Sequence, residues 1–327
     1  MKRHQLIKWS LAVAKLAVLG MLIWFVRSAL VKAFDDLEHH EWHVAWSWLA
    51  AAACFNVLGM LPAADYWYRL LRACDQEIGP YAALRAYFVS QPGKYVPGKA
   101  IVLVLRAAMV RPLQVPTTLI TATSILETLT NLADGALVAL IIRAPQLLQD
   151  LKLLAAVVAM LLVTGLPILP PLFKLVMRYS GMVKLNPSAI KKLDGIGFRT
   201  VGLGCLTMAG GWWIQGLTLW AILRALGALD GGPLENWPLH TAVVALSMVA
   251  GFLAFLPGGI GAREFVIIEL LKPVYGDTPA VVAAILLRFI SVVSDALLSI
   301  ILYLVRPTPA EPDDAIGTEP LKAGSNR

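Results

Sequence analysis

Charge is what this chain has least of. Asp, Glu, Lys and Arg make up 15% of its 327 residues, against roughly 25% in an ordinary soluble domain. Hydrophobic residues make up 58%, and they lie in stretches of about 20 residues or more, the length that crosses roughly 30 Å of hydrocarbon as helix. No segment outside those stretches is long enough to build a soluble core. Cysteine is scarce too. Cys54, Cys74 and Cys205 show no CxxC or Cys/His metal spacing, and Cys54 and Cys205 fall in apolar runs where a thiol simply packs. His39, His40 and His43 cluster after the first apolar run, but no second ligand set accompanies them, so neither a metal nor a cofactor is expected. HExxH, GxSxG and DxD are absent. GKYVPGK lacks both the preceding strand and the spacing of a phosphate-binding P-loop. The net charge of +7 sits between apolar runs. It points to membrane orientation and anionic headgroups rather than to nucleic acid.

What remains is an all-α fold, a polytopic membrane helix bundle. Six full spans are expected at about 9–31, 44–71, 117–142, 151–172, 201–226 and 280–305. The first run is too long for a signal-peptide core and lacks a small-residue cleavage site, so it reads as a retained span. Two further apolar regions are broken in the middle, one by Pro92-Gly93 and Pro97-Gly98, the other by Pro257, Gly258, Gly259 and Gly261. Neither makes one regular helix. If both crossed the membrane, the basic stretch holding Lys174, Arg178, Lys184, Lys191, Lys192 and Arg199 would lie outside while the N-terminus lay inside, against the Lys/Arg bias of cytoplasmic segments. Two re-entrant hairpins are therefore expected, in a cytoplasmic (inner or plasma) membrane with both termini cytoplasmic. Residues 1–306 form one transmembrane domain, and the polar, Pro-rich residues 307–327 form a disordered cytoplasmic tail.

The two halves, about 8–142 and 151–306, resemble each other. Pro97-Gly98 and Pro257-Gly258 stand 160 residues apart, and Glu127 and Asp134 stand 161 residues before Arg288 and Asp295. Three crossings per half would invert one half relative to the other, a recurring transporter design with its site near the midplane. Seven residues are nearly two helical turns, so Glu127, Asn131 and Asp134 share a face, as do Arg288 and Asp295. An ionised residue at the bilayer centre costs at least ~2.5–3.5 kcal/mol on insertion scales, so these residues need partners or a wet cavity. Glu127 opposite Arg288 is the expected pair; a purely structural pair fixing register and a polar path for a headgroup both remain open. The hairpin tips carry Lys94, Lys99, Arg263 and Glu264. Helices starting after Pro-Gly present free N–H groups and a positive dipole end, which suit an anion such as phosphate.

QPGKYVPGK, LPGGIGAREF and the acidic residues on the helix after the first of them resemble the membrane region of the lysylphosphatidylglycerol synthase/flippase family, over about residues 10–306. The resemblance implies a lipid flippase that moves aminoacylated phosphatidylglycerol between leaflets. The family's soluble aminoacyl-transferase domain has no counterpart here, so synthesis of that lipid is not expected and the lipid itself stays open. Anionic or aminoacylated phospholipids and polyprenyl-linked lipids are the candidates, with a lipid-modifying enzyme or glycosyltransferase as a partner. Two alternatives stand beside transport: a membrane-embedded enzyme acting on lipid phosphates or glycolipids, and a non-catalytic partner of a glycosyltransferase.

Overall fold

The computed structural model describes residues 44–95, 100–147, 149, 151–181, 186–229, 234, 236–254 and 259–305, and among these every regular element is helical. The first expected span, the His39–His40–His43 cluster, the tips Pro97, Gly98, Lys99, Pro257 and Gly258, and the tail lie outside the described residues. Eleven α-helices follow: α1 Trp46–Ala73, α2 Pro80–Ser90, α3 Ala100–Val110, α4 Thr117–Leu147, α5 Leu151–Gly165, α6 Pro170–Tyr179, α7 Pro187–Lys192, α8 Phe198–Ala225, α9 Trp237–Leu253, α10 Ala262–Tyr275 and α11 Asp277–Leu304.

Three of them, α1, α4 and α11, are long and apolar enough to cross a membrane. The straight span expected at 151–172 is bent instead. A short 3₁₀ turn, Leu166–Ile168, ends α5, and the chain turns by 76° into α6. Pro167, Pro170 and Pro171 account for it, because proline removes the N–H a continuing helix needs and pushes the residue before it out of helical geometry. α8 has 28 residues, about 42 Å at 1.5 Å per residue, but its five glycines and a Gln dilute its hydropathy and it is not among those three.

Both Pro-Gly regions fold back on themselves. In the first, Arg106 on α3 reaches Ser90 at the end of α2 (3.2 Å). A Cβ on Gly93 would stand 2.8 Å from the Val102 amide nitrogen. Residue 90 meets 106 and residue 93 meets 102, so one arm runs forward as the other runs back, which is the signature of antiparallel arms. In the second, the His240 and Tyr275 side chains meet at 2.8 Å and Gly251 packs on Gly259 and Arg263, again antiparallel. Gly259 (φ +69°) and Gly261 (φ +82°) make the turn, in backbone that side-chain-bearing residues rarely adopt.

The hairpins are exchanged between the halves. The arm α2 packs on α11, and the arm α9 packs on α4. Hydrogen bonds fix the first exchange: Arg85 donates to the Leu302 and Tyr303 carbonyls, and Ser299 to that of Val89. The apolar core forms two main clusters, one mainly on α1, α2 and α4 with α6, α7 and the start of α8, the other mainly on α8, α9, α10 and α11 with Ala52 of α1, Val138 and Ala139 of α4 and Val157 of α5.

α1 and α8 form the most extensive helix pair. Small residues make it possible: Gly204 lies against the Tyr66 ring and Gly211 against the Gly59 carbonyl, 2.8 Å from a would-be Cβ. Within a membrane such close approach, rather than a hydrophobic drive, holds helices together. Gly210, its neighbour, faces open space. Gly211→Leu is therefore expected to lower stability by about 1–3 kcal/mol or more through overpacking, and Gly210→Leu to change it little. Unfolding of the two variants in mixed detergent micelles checks this; equal losses would remove the seam from the account.

Candidate functional site

Between the two clusters lies a cavity of about 390 Å³. α1, both hairpins, α4, α8 and α11 all contribute to its wall, which is mostly apolar with a small set of polar and charged groups. Lys94, Arg106, Glu127 and Arg263 are the charged ones, joined by Asn56, Gln91, Asn131 and Gln215 among others.

Glu127 is 4% exposed and Arg106 3%. They meet at 3.1 Å. The Arg106 guanidinium also donates to Ser90 and Ser124 and lies 4.4 Å from the Tyr87 ring centre and 4.9 Å from that of Trp67, while the Tyr87 hydroxyl donates to the second Glu127 oxygen (3.3 Å). Burial of both charges is tolerable only because the pair is so fully bonded. The partner of Glu127 is thus Arg106 on its own half's hairpin and not Arg288. α3 returns alongside α4, which puts Arg106 closer than anything on α11. The hairpin fold draws Arg106 inward, although Lys and Arg beside an apolar run ordinarily mark a membrane boundary.

Arg288 pairs with Glu264 at 3.0 Å, again the returning arm of a hairpin gripping the long helix that follows it. Glu264 has a second duty, accepting from the Gly261 amide at 2.7 Å and capping α10. A carboxylate thus already occupies a donor at that helix start, so Glu264 is not a free headgroup ligand, and neither it nor Arg288 lines the cavity. Asp295 is held by Lys94 (2.7 Å) and the Tyr95 hydroxyl (2.7 Å) from the first hairpin. Lys94, expected to attract phosphate, is committed to that carboxylate, though it lines the cavity.

Asn131 lines the cavity beside Glu127, as their spacing implied, but Asp134 does not. Seven residues carry it about 10 Å along the axis, beyond the wall. There it is 5% exposed, with one carboxylate oxygen unbonded, and the adjacent Gly135 packs on Trp212. Arg263 is where the sequence placed it, at the start of α10 and on the cavity wall. The sequence reading missed other wall residues, among them Arg106, Asn56, Gln91, Ser124 and Gln215. Arg106 is the one charged residue of α3, and that was the available signal. Among the described residues no cluster of three or more His, Cys, Asp or Glu side chains is placed to share a metal ion.

A mostly apolar chamber within a bundle of apolar helices, walled by Pro-Gly hairpins and charged groups, fits a recognised sequence class. The family model of the lysylphosphatidylglycerol synthase TM region matches residues 12–299. The chain belongs to this family. It is accordingly a membrane protein, and the family places its work among membrane lipids. No curated protein matches the chain significantly. As a family member it presents the LPGGIGAREF segment in the second hairpin, where Arg263 faces the cavity and Glu264 caps the helix.

The Arg106–Glu127 pair makes a stability prediction. Glu127→Gln or Arg106→Met alone should cost about 3–5 kcal/mol, because each leaves one buried group without its partner, while the double variant should cost far less. A double-mutant cycle in detergent unfolding measures it. Additive losses would mean that the pair is not coupled.

Proposed function

We propose that the chain carries a membrane lipid between the leaflets of a cytoplasmic membrane, with the central cavity holding the headgroup. The single observation that carries this reading is the cavity itself: polar and charged groups gathered around about 390 Å³ in a chain whose flanking helices are apolar. Groups so costly in hydrocarbon mark a path for something polar, and irregular backbone at membrane depth is tolerated where it lines such a space.

The arrangement of arms supports an inverted repeat. Each half offers a helix of the central pair (α1 or α8), a hairpin and a long final helix (α4 or α11). Each half also sends its hairpin's first arm to the other half's final helix and ties its second arm to its own, by Arg106–Glu127 in one and Glu264–Arg288 in the other. The same connection made twice with the charges reversed is what divergence from a common three-span unit would leave. On this reading the N-terminal run and the bent 151–179 segment count as spans, an even total keeps both termini on one side, and the Lys/Arg bias makes that side the cytoplasm. Rocking of the halves would then expose the cavity to each leaflet in turn.

The test is a leaflet-resolved assay in vesicles carrying a fluorescent phospholipid. Asn131→Trp, which fills the cavity from α4 without touching an ion pair, should reduce translocation at least about tenfold in folded protein, as blocking a path does. The Glu127→Gln/Arg106→Met double variant separates roles: if the pair only fixes helix register, translocation survives in it. Full activity in Asn131→Trp would end the assignment of the cavity as the path.

A further inference from the structure

Among the described residues the charges around the cavity do not balance, and the imbalance has an address. Glu127, Asp295 and Glu264 are each taken by a cation of the chain, Arg106, Lys94 and Arg288 respectively. Arg263 is the fourth cation. It lines the cavity and is 8% exposed. Its Nε has no hydrogen-bond partner, and none of the ion pairs among the described residues includes it. Asp134, the other buried carboxylate of α4, lies beyond the cavity wall.

This arginine is built in. Its side-chain stem runs between Gly251 and Gly259, and a Cβ on Gly251 would collide with its Cγ, while one on Gly259 would stand 3.0 Å away. Two glycines thus make the slot that directs the guanidinium to the cavity. A second wall group is incomplete as well: Asn56, 4% exposed, keeps its Nδ2 unbonded. Asp295 and Glu264 lie near enough to favour the charge on Arg263, but each is paired with another cation. A buried guanidinium outside any ion pair is costly, and its planar fork of donors matches phosphate oxygens.

We infer that the cavity selects a lipid whose headgroup carries an uncompensated phosphate, bound by Arg263, and that it discriminates against the same headgroup once an amine is added. Among the described residues an added ammonium finds no vacant carboxylate on the wall. It must either stand among Lys94, Arg106 and Arg263 or displace one of them from its partner, and both are unfavourable. The inference deepens the transport reading and rests on it only in taking the ligand to be a lipid.

The test uses the purified full chain in detergent with an equimolar mixture of phosphatidylglycerol, lysyl-phosphatidylglycerol and phosphatidylethanolamine, bound lipid being read by native mass spectrometry. Phosphatidylglycerol should be retained over each amine-bearing lipid by about tenfold or more, and Arg263→Gln should shrink that preference to within about threefold. Gly251→Val, which closes the slot and leaves Arg263 in the chain, should do the same. Equal or better retention of the lysyl lipid, no retained lipid at all, or a preference unchanged in folded Arg263→Gln would overturn the inference. So would inorganic phosphate binding as tightly as the phospholipid, since the site would then serve a soluble anion. Selective retention by protein that translocates nothing in vesicles would sink the transport reading and leave this one standing.

Discussion

A charge in hydrocarbon must bring its own solvent, and in this protein that solvent is other side chains. Arg106 and Glu127 show what it takes: a direct ion pair, two serine hydroxyls, a tyrosine hydroxyl and two aromatic faces. None of these groups could assemble on one straight helix. The first hairpin exists in this form because its returning arm has to carry a guanidinium back to a carboxylate on the next helix. The second does the same with the signs exchanged, Glu264 to Arg288. Once both pairs are made, the positions of the arms, of α4 and of α11 follow. The space left between them becomes the cavity.

That constraint also explains what could be read from the sequence. Low charge, long apolar runs and broken Pro-Gly regions are properties of local composition, and α1, α4, α8 and α11 emerge close to where those properties put them. The fold-back of both broken regions followed from the distribution of Lys and Arg. LPGGIGAREF named the family. The ion-pair partners were a different matter. Glu127 and Arg288 looked matched because the spacing of the sequence aligns them between the two halves, but aligned positions need not touch. Which carboxylate takes which cation depends on where a returning arm lies, and that is a three-dimensional fact. Sequence reasoning passes over Arg106, since positive charge near an apolar run usually marks the membrane boundary. The single arginine in AIVLVLRAAMV is instead the interior exception. The bend after α5 was legible in principle, since three prolines stand within five residues.

Glu264 illustrates how one residue can mislead. At the tip of a hairpin, beside Arg263, it reads as half of a binding site. Its two oxygens are both employed, one on the Gly261 amide and one on Arg288. The carboxylate does for the helix start what an incoming anion would otherwise do. It thereby leaves its neighbour Arg263 as the group with bonding capacity to offer.

The exchanged arms carry a consequence for how the protein is made. Tyr95 bonds Asp295 across 200 residues of chain, and Arg85 and Val89 bond residues of α11, and Tyr81 the Val305 carbonyl just past it, more than 200 positions later. As the chain leaves the ribosome, the first hairpin is complete long before the helix it docks on has been synthesised. Contacts so remote in sequence close last. The early half must therefore wait in the bilayer with Lys94 unpaired and one side open, and its closure coincides with arrival of the final helix. Quality control of this protein is in effect deferred to its C-terminal span.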